Sequence, residues 1–261
     1  MKKIRKSPEP QHIKTFLRRH PDADWETFRD HGDYSGLRGQ FIQDQGGLCA
    51  YCENDISKTS NQRVEHFHPK RDRSQHHWAL DWTNMFAVCL GGSSKYGDQA
   101  HSLEPFDENR SCDVSKEERF KNNVVEGRLL NPFEIPAFPS LFGVGIDGTI
   151  SPNEQNCLSV TIENNQYPTT RELVAQTIFA FHLNCERLKR QRKFVLTGID
   201  QRIRIIRQKY QGRPLARARK EGMQNLAQSY FSKQWPPFFT TIRSRLTPYF
   251  ESWLKSNGFN G

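Results

Sequence analysis

The 261 residues predict an α+β protein in which a short, cysteine-framed strand region lies between helical ends. Three observations carry this. Helix-like stretches open the chain ("QHIKTFLRRH", "SGLRGQFIQDQ") and close it ("LAQSYFSKQ", then "FFTTIRSRLTPYFESWL"). A β-rich run, "QRVEHFHP", ends at Pro69, and a second strand pair, "FGVGI" and "TISP", flanks the turn signal Asp147-Gly148. Between the opening helices and the hairpin stand Cys49, Cys52, Cys89 and Cys112, spaced to tie loops together.

Taken in order, the second helical stretch stops at Gly46-Gly47, a good C-terminal signal, and delivers the chain to "LCAYCENDIS". The strand "QRVEHFHP" follows, then the polar loop "KRDRSQHH". "DWTNMFAVC" reads as a short helix or turn, and a long polar loop leads to "CDVSKEERF". A Pro-rich crossover enters the hairpin. Beyond Pro168 the spacing of Leu173, Ile178, Phe181 and Leu188 is roughly helical. The expected organisation is an N-terminal module over 1–135, a hairpin linker over 136–164 and a helical, basic region over 165–261.

Charge is concentrated. Of a net +9, the segment from Cys185 to Glu221 holds 13 Lys and Arg against three acids, so the rest of the chain is close to neutral. Such a stretch suits a polyanionic partner, or is a solvated helix face. Ile203, Ile205 and Ile206 among the arginines suggest that one face packs. No apolar run approaches the ~20 residues of a membrane span, and "MKKIRKSPEPQH" has no apolar stretch behind its basic residues, so a cytoplasmic protein is expected.

In a reducing compartment C-x-x-C reads as a metal clip or redox pair before it reads as a disulfide. With Cys89 and Cys112, the pair Cys49/Cys52 can close a tetrahedral, structural Zn2+ site. Four unrelated buried thiols are the plainer reading, and His101 is an alternative to one ligand. Cys157 and Cys185 are expected to be buried free thiols, and Asn184 a turn or helix-face residue without chemistry.

Between the cysteine pairs, "VEHFHPK" places carboxylate beside imidazole. Phosphodiester hydrolysis needs a base to activate water and a cation held by hard oxygen donors. Neighbours on a regular strand point to opposite faces, so Glu65 and His66 reach one phosphate only where the strand ends or bends, as Pro69 suggests. A lone histidine is more often structural; the surrounding cysteine frame is what singles out His66. His68, His76 and His77 read as loop residues. Lys70, Arg71 and Arg73 read as phosphate contacts or as an ordinary solvated loop.

The order C-x-x-C, E-H-x-x-P, N-x4-C, C-D-x-x-K resembles the HNH endonucleases, a ββα-metal fold. "GGLCAYCE", "VEHFHPK", "DWTNMFAVC", "LLNPFE" and "AFHLNCERLKRQR" are most similar to the PtuB nuclease subunit of Septu-type and retron-associated antiphage systems, up to about Arg192. The resemblance implies His66 as general base, Glu65 and Asp113 as ligands of a catalytic Mg2+ or Mn2+, and Asn84 as a brace of the catalytic loop. It leaves Zn2+ on Cys49, Cys52, Cys89 and Cys112. It also implies an ABC/SMC-like ATPase partner (PtuA type) and DNA or RNA as substrate. Two features depart from the family pattern. The loop from Gly91 to Ser111 is long, leaving His101 an alternative to Cys112 or Asp113, and Asp113 stands where His or Asn is common. The competing expectation is a non-catalytic, zinc-stabilised adaptor that docks an ATPase on nucleic acid; only a nuclease needs the Glu65-His66 pair.

Overall fold

The computed structural model describes residues 1–72, 74, 76–93, 102–120, 124–209, 215–231 and 235–261. Three helices open the chain: α1 (Gln11–Arg19), α2 (Trp25–His31) and α3 (Tyr34–Gln45). α1 buries Ile13 and Phe16, three residues apart on one face. α2 and α3 start at Asp24 and Asp33, whose carboxylates accept from the N–H groups of Thr27 and Gly36, both at 2.8 Å. α3 ends where Gly46 turns left-handed at φ 64°, as the Gly-Gly pair predicts. α2 escapes sequence reading because seven residues span only two turns.

β1 (Gln62–His66) pairs antiparallel with β2 (Met85–Cys89), Gln62 opposite Cys89 and His66 opposite Met85. This corrects the reading of "DWTNMFAVC" as a helix or turn. Only Trp82–Asn84 form a 3-10 turn, and "MFAVC" is a strand with all five residues buried. A strand covered on both faces shows no period-two alternation, so nothing in the pattern announces it. The edge of β2 is satisfied by a side chain. Gln45, at the end of α3, accepts from Ala87 N and donates to Ala87 O, each at 2.8 Å. Helix α4 (Cys112–Arg119) then packs on β2, completing a strand–strand–helix unit.

The hairpin forms as expected, with β3 (Phe142–Val144) and β4 (Ile150–Pro152) around Asp147-Gly148. Asn184, expected to be inert, braces it by accepting from Ile150 N at 2.8 Å and donating to Ile150 O at 2.9 Å. After the short α5 (Glu154–Leu158), the helical C-terminal stretch divides into α6 (Thr170–Ala180) and α7 (Glu186–Lys209). Thr169 and Glu172 form a capping box at the start of α6, and His182 takes φ 47° at the break. α8 (Leu215–Phe231), α9 (Phe239–Leu246) and α10 (Tyr249–Ser256) follow.

Two apolar clusters result. The larger joins α1–α3, the β1–β2 hairpin, β3–β4 and α6. The smaller gathers Ile199 and Ile203 of α7 with Phe231, Phe239 and Phe250 of α8–α10. α7 runs through both, with Leu188 in the first. Its arginines are not all outward. Arg187 and Arg192 are buried, while Arg190, Lys193, Arg202, Arg204 and Arg207 are exposed. Of the isoleucines, Ile203 packs, Ile206 is half-buried and Ile205 faces solvent. Cys157 and Cys185 are buried free thiols. No helix of the described residues is long and apolar enough to cross a membrane.

Candidate active site

The thiols of Cys49, Cys52, Cys89 and Cys112 converge, all four within 4.8 Å of one another. Neighbouring Sγ atoms lie 3.8 Å (Cys49–Cys112), 3.6 Å (Cys52–Cys89) and 3.7 Å (Cys89–Cys112) apart. A tetrahedron with Zn–S bonds of about 2.3 Å has edges of about 3.8 Å. The cluster therefore has the size, charge and softness of a Zn2+ site. A tight turn and a helix start bring in its second half. Gly91, at φ 65°, reverses the chain after Cys89 and donates its N–H to Cys89 Sγ at 3.4 Å; a Cβ there would sit 2.6 Å from Ser111 O. Cys112 enters α4 with its N–H on Phe181 O at 2.9 Å. Hydrogen bonds from the other thiols, Cys112 foremost, hold Cys89 well below the usual thiol pKa. Arg187 lies beside them, its guanidinium donating to Ser111 Oγ at 2.6 Å. Four cysteines suffice, so no histidine is needed; His101 lies outside the described residues.

The other face of this unit is an open cleft of about 660 Å3, lined by Glu65, His66, Asp113, Lys116, Lys70, Arg71 and neighbours. β1 ends at His66, and the chain bends into Phe67, whose N–H donates to Asn84 O at 2.9 Å. The bend is what lets Glu65 and His66 share a cleft. His66 Nε2 meets Ala79 O at 2.9 Å. A carbonyl only accepts, so the ring proton is fixed on Nε2 and Nδ1 keeps its lone pair. Trp25 of α2 packs edge-on against the imidazole, centroids 4.7 Å apart. Burial pushes the His66 pKa down to about 4, so the ring is neutral near pH 7.

Glu65 Oε1 accepts from Tyr51 Oη at 3.4 Å and pairs with Lys116 Nζ. That ammonium also donates to His66 O and Phe67 O, both at 2.9 Å. Asp113 sits on the first turn of α4, with Arg63 Nη1 3.3 Å from its Oδ2. Its Oδ1 is buried and has no hydrogen-bond partner among the described residues. Burial, then the charge of Glu65, raises the Asp113 pKa well above the usual carboxylate range. Two buried carboxylates that repel one another, one with an unsatisfied oxygen, are hard donors of the kind that hold a divalent cation. Among the described residues, however, the four thiols are the one group of three or more metal-ligating side chains drawn within 4.8 Å of one another, and Glu65, His66 and Asp113 do not form a second.

Asn84 stands behind the cleft. Its Oδ1 accepts from His68 N at 2.6 Å, and its Nδ2 donates to His68 O at 3.0 Å and Trp78 O at 2.8 Å. One amide therefore closes the loop that carries Ala79. His68 is not a solvated loop residue; it is buried between Glu126 (Nδ1, 2.8 Å) and Asp72 (Nε2, 2.9 Å), stacked on Trp78. His76 holds Asp81.

No family model matches the chain. It is 32% identical over 209 residues to the Escherichia coli protein named "Retron Ec83 putative HNH endonuclease", covering 75% of this chain and 79% of that one. The chain belongs to the HNH endonuclease family.

In this member of the HNH endonuclease family, Glu65, His66 and Asp113 line one cleft with Lys70 and Arg71, and Asn84 lies one layer back; Arg73 lies outside the described residues. Lys70 also pairs with Glu26 at 2.7 Å. Four neighbours were missed from sequence. Lys116 is one helical turn beyond Asp113, and Arg63 is two residues before Glu65 on the same strand face, so both were findable by spacing. Tyr51 lies inside "CAYC". Trp25 comes from a helix with no signal linking it to the motif.

Proposed function

We propose that the protein is a metal-dependent endonuclease hydrolysing phosphodiester bonds of nucleic acid, with DNA the first substrate to test. One observation carries this: an imidazole whose Nε2 is pinned to Ala79 O, which leaves Nδ1 its lone pair, lines the cleft that also holds two carboxylates and several cations. Nδ1 of His66 takes the proton of the attacking water. Glu65 and Asp113 would hold Mg2+ or Mn2+, which when bound offsets charge developing on the phosphate oxygens. Lys70 and Arg71 steady the flanking backbone, and Arg73 is a candidate for the same role. Asn84 keeps the loop closed, and Zn2+ on the four thiols is structural.

The PtuB-like motifs, and the retron in the name of the E. coli relative, support a finer reading. In it the chain is the nuclease effector of an antiphage complex with an ABC/SMC-like ATPase partner of the PtuA type.

The test is incubation of the purified chain, alone and with a candidate ATPase, with plasmid and with total RNA in Mg2+ or Mn2+. Cleavage that disappears in His66→Ala while zinc content holds is the expected result. Retained cleavage in His66→Ala overturns the base assignment. Metal-independent binding without cleavage under every condition favours the adaptor reading.

A further inference from the structure

The segment before α1 is tied to the rest of the fold by several bonds, and three of these attachments flank Lys6. Ile4 N donates to Pro132 O at 3.0 Å. Ser7 places its N–H and Oγ on Asp44 Oδ2 at 3.1 and 3.0 Å. Trp82 Nε1 returns a bond to Ser7 O at 2.9 Å. Between these anchors Lys6 turns inward. Its Nζ donates to Trp82 O and Met85 O, the residues on either side of the Thr83-Asn84 step. Aromatic rings surround the ammonium, with centroids at 4.0 Å (Trp82), 4.8 Å (Phe41) and 5.1 Å (Phe86 and Phe133). Burial among these rings pushes the Lys6 pKa well down, partly offset by the charges of Asp44 and Asp81, and in either protonation state the amine can donate to both carbonyls.

The turn that Lys6 grips is the one that displays Asn84. Asn84 Nδ2 is bonded to Trp78 O, and the next residue, Ala79, supplies the carbonyl that fixes His66 Nε2. We propose that Lys6 is a positioning residue. By clamping Trp82 O and Met85 O it fixes Asn84, and through Asn84 the Ala79 carbonyl that sets the orientation and tautomer of the His66 ring. For catalysis this rests on His66 being the base; for ring geometry it does not. An apolar residue of the same length would fill the aromatic cage equally well but leave the turn unclamped, so the role belongs to the Nζ donors rather than to the side chain's bulk. Displacements of about 1 Å at a reacting group cost on the order of 100-fold in rate.

The experiment compares wild type with Lys6→Met, Lys6→Gln and Lys6→Arg, each with zinc content and melting temperature recorded. Two readouts follow: kcat and KM for plasmid cleavage, and the 15N pattern of the His66 ring by NMR. In Lys6→Met, kcat is expected to fall about 10- to 100-fold with KM within about 3-fold, as the His66 ring loses its pure Nε2–H tautomer. Lys6→Arg, which keeps a cationic donor, should recover part of both. An unchanged His66 pattern in Lys6→Met overturns the proposal, as does a change in KM alone. If Lys6→Met does not fold, Lys6→Gln decides: its amide nitrogen is one atom short of the lysine Nζ and cannot span both carbonyls, so a wild-type ring pattern overturns the clamp. If no variant or wild type cleaves nucleic acid, the nuclease reading fails while the NMR arm still judges Lys6.

Discussion

The four thiols and the Glu65–His66–Asp113 cleft share the β1–β2 hairpin and α4, and both bring together residues distant in sequence. The thiols are buried, within 4.8 Å of one another and sufficient in number for a tetrahedral set. The cleft donors are hard, line an open cavity and are partly matched by protein cations, Lys116 on Glu65 and Arg63 on Asp113. The difference fits the roles proposed for each. A clip that replaces core packing gains from closure, because every ligand bond formed on folding adds to stability. A site that handles a phosphate has to stay open on one side and keep one basic lone pair unspent. Cys112 and Asp113, adjacent at the head of α4, put one foot in each.

The largest effect should come from breaking the clip. Structural zinc contributes on the order of 10 kcal/mol in apparent binding energy, comparable with the whole stability of a domain. Cys49→Ser or Cys112→Ser should lose zinc by elemental analysis and lose the cooperative melt by circular dichroism, and a strong chelator should do the same to wild type. Full zinc content in Cys112→Ser would break the contrast, since the ligand set would then be wrong.

His66→Ala should separate the two sites. A general base is worth about 100- to 10,000-fold in rate, so cleavage should nearly vanish. Zinc content should stay near wild type, because the ring is no thiol ligand, while the melting temperature should fall by a few degrees as Ala79 O loses its partner and Trp25 its contact. Lys116→Met comes next. It removes the ammonium from Glu65 and from two strand-end carbonyls, and breaking a buried pair costs about 3 kcal/mol. Added Mn2+ should raise its melting temperature more than that of wild type, because the unmatched carboxylates would be free to hold the cation. Equal shifts in the two proteins would argue that Glu65 and Asp113 do not share an ion.

How much of this was legible follows the same division. The clip could be read because C-x-x-C has few uses in a reducing compartment and two later thiols were available to complete it. Glu65 and His66 were legible because a strand closing at Pro69 announces a bend. β2 was hidden because complete burial erases alternation, and "MFAVC" satisfies a helix as well as a strand. Trp25 was hidden for a different reason: it reaches His66 through tertiary packing of a seven-residue helix, and local pattern carries no trace of that. The basic segment misled in part, because charge counting cannot tell Arg187, buried beside the thiols, from Arg204, which faces water.

That last distinction gives the smallest prediction. The exposed acids of α7 are already matched, Glu186 by Lys189 and Arg190, and Asp200 by Arg245. Lys193, Arg204 and Arg207 are exposed and make no ion pair among the described residues. Neutralising them as Lys193→Gln, Arg204→Gln and Arg207→Gln should move the melting temperature by no more than about 2 °C, since surface changes away from structural contacts are nearly neutral. Arg187→Gln should cost visibly more, because it removes the guanidinium that reaches Ser111 and lies beside the clip. If the exposed cations meet phosphates, each substitution should lower the slope of log affinity against log salt by about one. If they meet an acidic protein surface instead, the slope measured on nucleic acid alone stays where it was, and α7 is a docking helix rather than an extension of the cleft.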